Sequence, residues 1–214
     1  MKINFQYDKE KDIWCILNKG KSSNNSKLST KAYEQLVRRY GDNPTSEDTS
    51  IFIENYISEN NIDIQKLITV YQKDWEIIGD IFQNIAEIIF GITISRDITV
   101  YLTINERCPY DIENNFFFVS MSISSSVRKT IMHELWHFYT WHGLGAKELE
   151  KLGVQKYNDL KEALTVLLNV ECKDLLPEGI PDMGYPQHKE LREKIVEFWK
   201  KDKNINNLWE YLTR

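Results

Sequence analysis

Apolar residues recur at three- and four-residue spacing along most of this chain, the pattern of helices that bury one face. Ser29 or Thr30 caps the first such run, in which Tyr33, Leu36, Val37 and Tyr40 share a face and Gly41 marks the end. Asp42 to Asp48 interrupts the pattern, and a shorter helix follows around Ser50 to Glu59. Asp63 caps a longer stretch in which Leu67, Ile68, Tyr71, Trp75, Ile78, Phe82, Ile85 and Ile89 keep the helical period, with Gly79 placed to divide it in two. Further on, Val127, Ile131, Leu135 and Phe138 line one side of a helix that Ser124 to Ser126 can cap and that Gly143 and Gly145 close. Another helix is expected from about Asn158 to Asp174. A rigid connection through Pro177, Gly179, Pro181, Gly184 and Pro186 then leads to helices over Gln187 to Lys200 and Ile205 to Leu212.

Strand patterns are few. Ile3 to Tyr7, a charged Asp-Lys-Glu-Lys-Asp stretch and Ile13 to Leu17 together predict a β-hairpin or a pair of edge strands, and Asn18 to Lys27 a loop. Ile98 to Ile104 alternates and is β-branched, and Phe116 to Met121 enters the Val127 helix directly, with a loop over Glu106 to Asn115 between them. The expected class is therefore α+β and helix-dominated, with a small mixed sheet above the Val127 helix. One domain is expected, with residues 1–96 as a hairpin and helical subdomain and 97–214 carrying the chemistry.

Composition narrows the class of function. The 214 residues are 42% hydrophobic and 28% charged, as in an ordinary globular protein. A net charge of -5 argues against nucleic acid as a partner, which needs a concentrated basic surface. The start of the chain is charged and lacks the apolar run of a secretory signal. The greasiest segment, Ile77 to Ile94, is broken by Asp80, Gln83, Asn84 and Glu87, so no membrane span is expected. Cys15, Cys108 and Cys172 form no CxxC pair, which suggests neither a disulfide framework nor a thiolate metal site. The expected setting is cytoplasmic.

The chemistry is carried by His-Glu-Leu-Trp-His, from His133 to His137. At about 100° per residue, His137 lies about 40° around the helix from His133, and Glu134 about 60° further on. Two imidazoles can bind one metal ion, zinc by the residue types, while the carboxylate acts as general base on a water. A third ligand is needed. A histidine six residues after His137 would supply it in one variant of the pattern, but that position is Gly143. His142 falls on the far side of the same helix. Glu162, 25 residues after His137, sits opposite Leu160, Leu164, Leu167 and Leu168 on the next helix and is the preferred candidate. Glu148, Asp159, Glu171 and His188 are the rivals.

This HELWH helix, the strands before it and the glutamate after it resemble the gluzincin branch of the zincin metallopeptidases, over roughly Asp97 to Leu176. The resemblance implies a zincin-like fold, Zn2+ on His133, His137 and Glu162, Glu134 polarising water, and a peptide or protein substrate. By the same likeness Tyr185 and His188, in the Gly-Tyr-Pro-Gln-His run, are candidate donors to the transition state, because zincin-like enzymes draw such donors from C-terminal to the motif. It also implies that Phe116 to Met121 is an edge strand that aligns the substrate. The chain departs from the pattern at Val166, where many gluzincins carry an acid four residues after the ligand glutamate, so Asn169 or Thr165 would have to orient the ligands instead. The Glu-Ala-Leu-Thr-Val-Leu-Leu-Asn helix is also similar to the small ImmA/IrrE-like regulatory proteases. Three readings follow: a zinc-dependent metallopeptidase, a regulatory protease of narrow specificity, and a non-catalytic binding protein on the same scaffold. The intact Glu134 speaks against the third.

Overall fold

The computed structural model describes residues 1–17, 31–122 and 127–214. It is mostly helical with one small mixed sheet, an α+β protein. The serine caps at 124–126, the loop at 18–27 and the caps at Ser29 and Thr30 lie outside the described residues. The elements in chain order are β1 (Ile3–Gln6), α1 (Lys9–Leu17), α2 (Lys31–Tyr40), α3 (Ser46–Glu59), α4 (Ile64–Phe90), β2 (Ile98–Thr103), β3 (Tyr110–Asp111) and β4 (Phe116–Ser120). They continue with α5 (Val127–Leu152), α6 (Val154–Leu164), α7 (Leu168–Glu171), α8 (Lys189–Trp199) and α9 (Ile205–Thr213). Two compact units interleave along the chain: Met1–Trp75 with Arg96–Val127, and Glu76–Ser95 with Arg128–Arg214.

The first unit is built on the sheet, ordered β1-β2-β4-β3. β1 and β2 pair in parallel, Ile3 opposite Ile98, as do β2 and β4, Thr99 opposite Phe116. The hairpin expected at the start of the chain is not formed, because Lys9–Leu17 is helix α1. Asp8 decides this: its carboxylate accepts from the backbone N–H groups of Glu10 and Lys11, an N-cap that the charged run concealed. A five-residue apolar run such as Ile13 to Leu17 is compatible with either element by periodicity, and the cap breaks the tie. Burial of Asp12, Ile13, Cys15 and Ile16 shows the helical face. α3 likewise starts earlier than its apolar spacing implies, at a reciprocal capping box between Thr45 and Asp48.

The expected edge strand is also corrected. β4 lies between β2 and β3 with every residue buried, and pairing with β3 covers its Phe116–Phe117 end, so that end is not a bare edge for a substrate. The Cys-Pro-Tyr-Asp segment returns as β3, pairing Tyr110 with Phe117, and the Pro109 carbonyl accepts from the Phe118 N–H at 3.0 Å. Trp14 stacks on Phe118 at 5.8 Å and meets Phe116 edge-on at 6.0 Å.

α4 runs unbroken through Gly79. A mid-helix glycine costs about 1 kcal/mol, less than the packing of Ile78, Phe82, Ala86 and Phe90, all buried. In the second unit Phe90 meets Trp136 edge-on at 5.1 Å and stacks on Tyr139 at 6.0 Å. These contacts, with Met132, Leu135 and Phe138 fully buried, fix the rotation of α5. α5 breaks where Gly145 takes φ 49° and ψ -164°, then resumes to Leu152. The helix expected over residues 158–174 is α6 followed by 3-10 turns and the single turn of α7. Among the described residues no helix is long and apolar enough to cross a membrane.

Candidate metal centre

α5 and α6 place three potential ligands together, all within the second unit. His133 and His137 stand on successive turns of α5, and packing of Leu135, Trp136, Phe138 and Tyr139 leaves their rings on the remaining face. Their Nε2 atoms lie 3.0 Å apart. On α6, burial of Leu160, Ala163 and Leu164 turns Glu162 to these rings, with Oε2 3.5 Å from His133 Nε2 and Oε1 3.5 Å from His137 Nε2. The ligand atoms of the three residues all fall within 4.8 Å of one another.

These spacings fit a metal. Two nitrogens bound tetrahedrally at 2.0–2.1 Å would be separated by about 3.3 Å. Two imidazoles and a carboxylate are a donor set suited to zinc. Glu148, Asp159 and Glu171 are used elsewhere: Glu148 accepts from Trp209 Nε1, Asp159 pairs with His188, and Glu171 accepts from Trp199 Nε1. His142 is exposed.

A second layer of polar contacts holds the ligands. His133 Nδ1 lies 2.6 Å from Asp182 Oδ2, a contact that holds a proton on Nδ1 and leaves Nε2 as the ring nitrogen facing Glu162 and His137. Asp182 is 4% exposed and is gripped from several directions. Its Oδ1 accepts from Thr165 Oγ1 at 2.8 Å and from the Arg192 guanidinium at 3.0 Å. Asn169 clamps its backbone twice, donating to the carbonyl and accepting from the N–H, each at 2.8 Å. Gly184, at φ 60°, makes room for the guanidinium, since a Cβ there would sit 2.5 Å from Arg192 Nη1. On the other side, the buried Lys161 ammonium lies 3.0 Å from Glu162 Oε1.

The electrostatics follow from this burial and pairing. Burial alone would lower the His133 pKa, but the hydrogen bonds to Asp182 and Glu162 outweigh it and carry it up to about 10. Burial holds His137 down to about 4. Glu134, 8% exposed, is pushed up to about 8 by desolvation, against the pull of His133. Burial raises Glu162 and Asp182, yet the imidazoles beside them keep both carboxyls below their ordinary range.

Sequence reasoning named His133, Glu134, His137 and Glu162, and the structure brings the two histidines and Glu162 into one cluster. The two proposed donors are not in that cluster. His188 is buried with its Nε2 3.0 Å from Asp159 Oδ1, and Tyr185, half exposed, packs edge-on against the His188 ring at 5.7 Å. Asp182, Arg192 and Lys161 were missed. Thr165 and Asn169, expected to orient the ligands themselves, instead hold the aspartate that does. The available signal for Asp182 was an acid set between Pro181 and Gly184 in a rigid turn; Arg192, beside the apolar stripe of its helix, offered none. The chain matches no protein-family model, no curated protein and no solved structure.

Proposed function

We propose that this protein is a zinc-dependent metallopeptidase of the gluzincin type, with a zincin-like fold. The observation that carries the reading is the convergence of His133 Nε2, His137 Nε2 and the Glu162 carboxylate, with Glu134 on the same helix as both histidines. His133, His137 and Glu162 would hold the ion. When bound, zinc supplies a Lewis acid and brings the pKa of a water to about 7.

The chain's own residues do the rest. Asp182 keeps the His133 proton on Nδ1, so that Nε2 is a donor atom and not an N–H. Lys161 engages one Glu162 oxygen and opposes the charge of the carboxylate. Glu134 takes a proton from the attacking water and delivers it to the amine as the peptide C–N bond breaks. The water oxygen ends in the new carboxyl group, whose remaining proton passes to the released amine, giving a carboxylate and an ammonium.

Two measurements on the purified protein test this. Elemental analysis is expected to find one zinc per chain, and a peptide library is expected to be cleaved. Glu134→Gln is expected to keep the metal and the fold while cleavage falls by about 10²–10⁴-fold. A protein that takes up no zinc, or a glutamine variant with undiminished cleavage, defeats the assignment.

A further inference from the structure

α4 shows solvent a row of aliphatic side chains. Val70, Ile77, Ile81 and Ile88 are 49%, 69%, 54% and 73% exposed, whereas Tyr71, Trp75, Ile78, Phe82 and Ala86 on its other side are buried. At 100° per residue the four exposed side chains fall within an arc of about 40°. Asp74 and Asn84 flank the same arc, and the six positions are spaced 4-3-4-3-4, the repeat of a coiled-coil seam. Aliphatic residues exposed to this degree at that spacing form a contiguous patch, unlike a scattered surface isoleucine.

We propose that this stripe is a homodimer interface in which two copies of α4 pair antiparallel, about a twofold axis level with Gly79. The stripe is complementary to itself in that orientation. Val70 meets the partner's Ile88, Ile77 meets the partner's Ile81, and Asp74 meets the partner's Asn84, each contact repeated by the twofold. A shift of one heptad either way sets an isoleucine against Asp74 or Asn84. Parallel pairing sets Asp74 against the partner's Asp74, a like-charge contact inside the seam. The flanks agree, because antiparallel pairing brings Lys73 beside the partner's Glu87 on both ends.

The affinity is limited. The seam from Val70 to Ile88 is about 27 Å long, which puts it at the small end of specific interfaces. Near the axis Asp80 approaches the partner's Asp80. The dimer is therefore reversible, with a dissociation constant in the micromolar range (~10⁻⁶ to 10⁻⁴ M).

Sedimentation equilibrium across that range tests the proposal on the whole protein. Dimer is expected to form with rising concentration, and Ile77→Glu with Ile81→Glu is expected to weaken it at least about tenfold. Both side chains are exposed, so circular dichroism and melting temperature should be unchanged. Asp80→Asn should tighten the dimer, and Lys73→Glu should weaken it, with Glu87→Lys restoring it. Orientation is read by disulfide cross-linking in a Cys108→Ser background. A mixture of Ile77→Cys and Ile81→Cys proteins should link to each other in preference to themselves. A monomer at every concentration, a dimer indifferent to the two glutamates, or cross-links confined to like variants would each overturn the proposal.

Discussion

Replacing Asp182 by asparagine isolates what the buried carboxylate does for the metal centre. The change removes one charge, keeps the shape, and leaves an oxygen that can still accept from Thr165 and Arg192. With that oxygen so engaged, the new amide nitrogen faces His133 Nδ1, where a carboxylate oxygen now accepts at 2.6 Å. An N–H facing an N–H is repulsive, so the ring is driven to the tautomer that carries its proton on Nε2, the atom needed for the metal. Loss of a hydrogen bond to a charged group costs about 1.5–3 kcal/mol, and each 1.36 kcal/mol is about tenfold. Zinc affinity should therefore fall by about 10- to 100-fold, the range typical of lost partners behind a metal-bound histidine. Arg192 also loses its countercharge, which can cost up to about 3–5 kcal/mol of stability. The two effects separate cleanly: melting with chelator present reports the fold, and competition against a chromophoric zinc chelator reports affinity. A folded Asp182→Asn protein whose zinc affinity stays within about threefold of wild type would refute the orienting role.

Two further outcomes are expected. Glu162→Ala should weaken zinc binding severely, whereas Glu148→Ala, Asp159→Ala and Glu171→Ala should leave it largely intact, as measured by the same chelator competition; comparable losses in any of these three would move the ligand assignment. Asp12 in the first unit is buried and its pKa is pushed up to about 7, chiefly by desolvation, although Thr103 Oγ1 and the Ile104 N–H donate to it. Because the folded pKa lies above the unfolded one, native protein holds the extra proton between about pH 4 and 7. Its contribution to stability is complete below that window and is lost as pH rises through about 7, by up to about 4 kcal/mol for a three-unit shift. Denaturation of wild type against Asp12→Asn across pH 4 to 8 should show the wild type losing ground as pH rises, and parallel curves would contradict this.

Much of this protein was legible along the chain because the physics involved is local. HELWH places two imidazoles on one helix face through helix geometry alone, and four leucines opposite Glu162 orient that carboxylate once the leucines are buried. α4 was legible from its period, though not its continuity through Gly79, which depends on burial of the residues around it. Other features needed the fold. Lys9–Leu17 turned helical on the strength of a cap at Asp8 hidden in a charged run, and β4 became an inner strand because Cys-Pro-Tyr-Asp came back to pair with it. Asp182 follows His133 by 49 residues and reaches it only through a turn held by Asn169, Thr165 and Arg192, from two other segments. A helical period reports which face of one element is buried. Which distant polar group must satisfy a buried imidazole is settled only when the elements pack and each desolvated donor has to find an acceptor within reach.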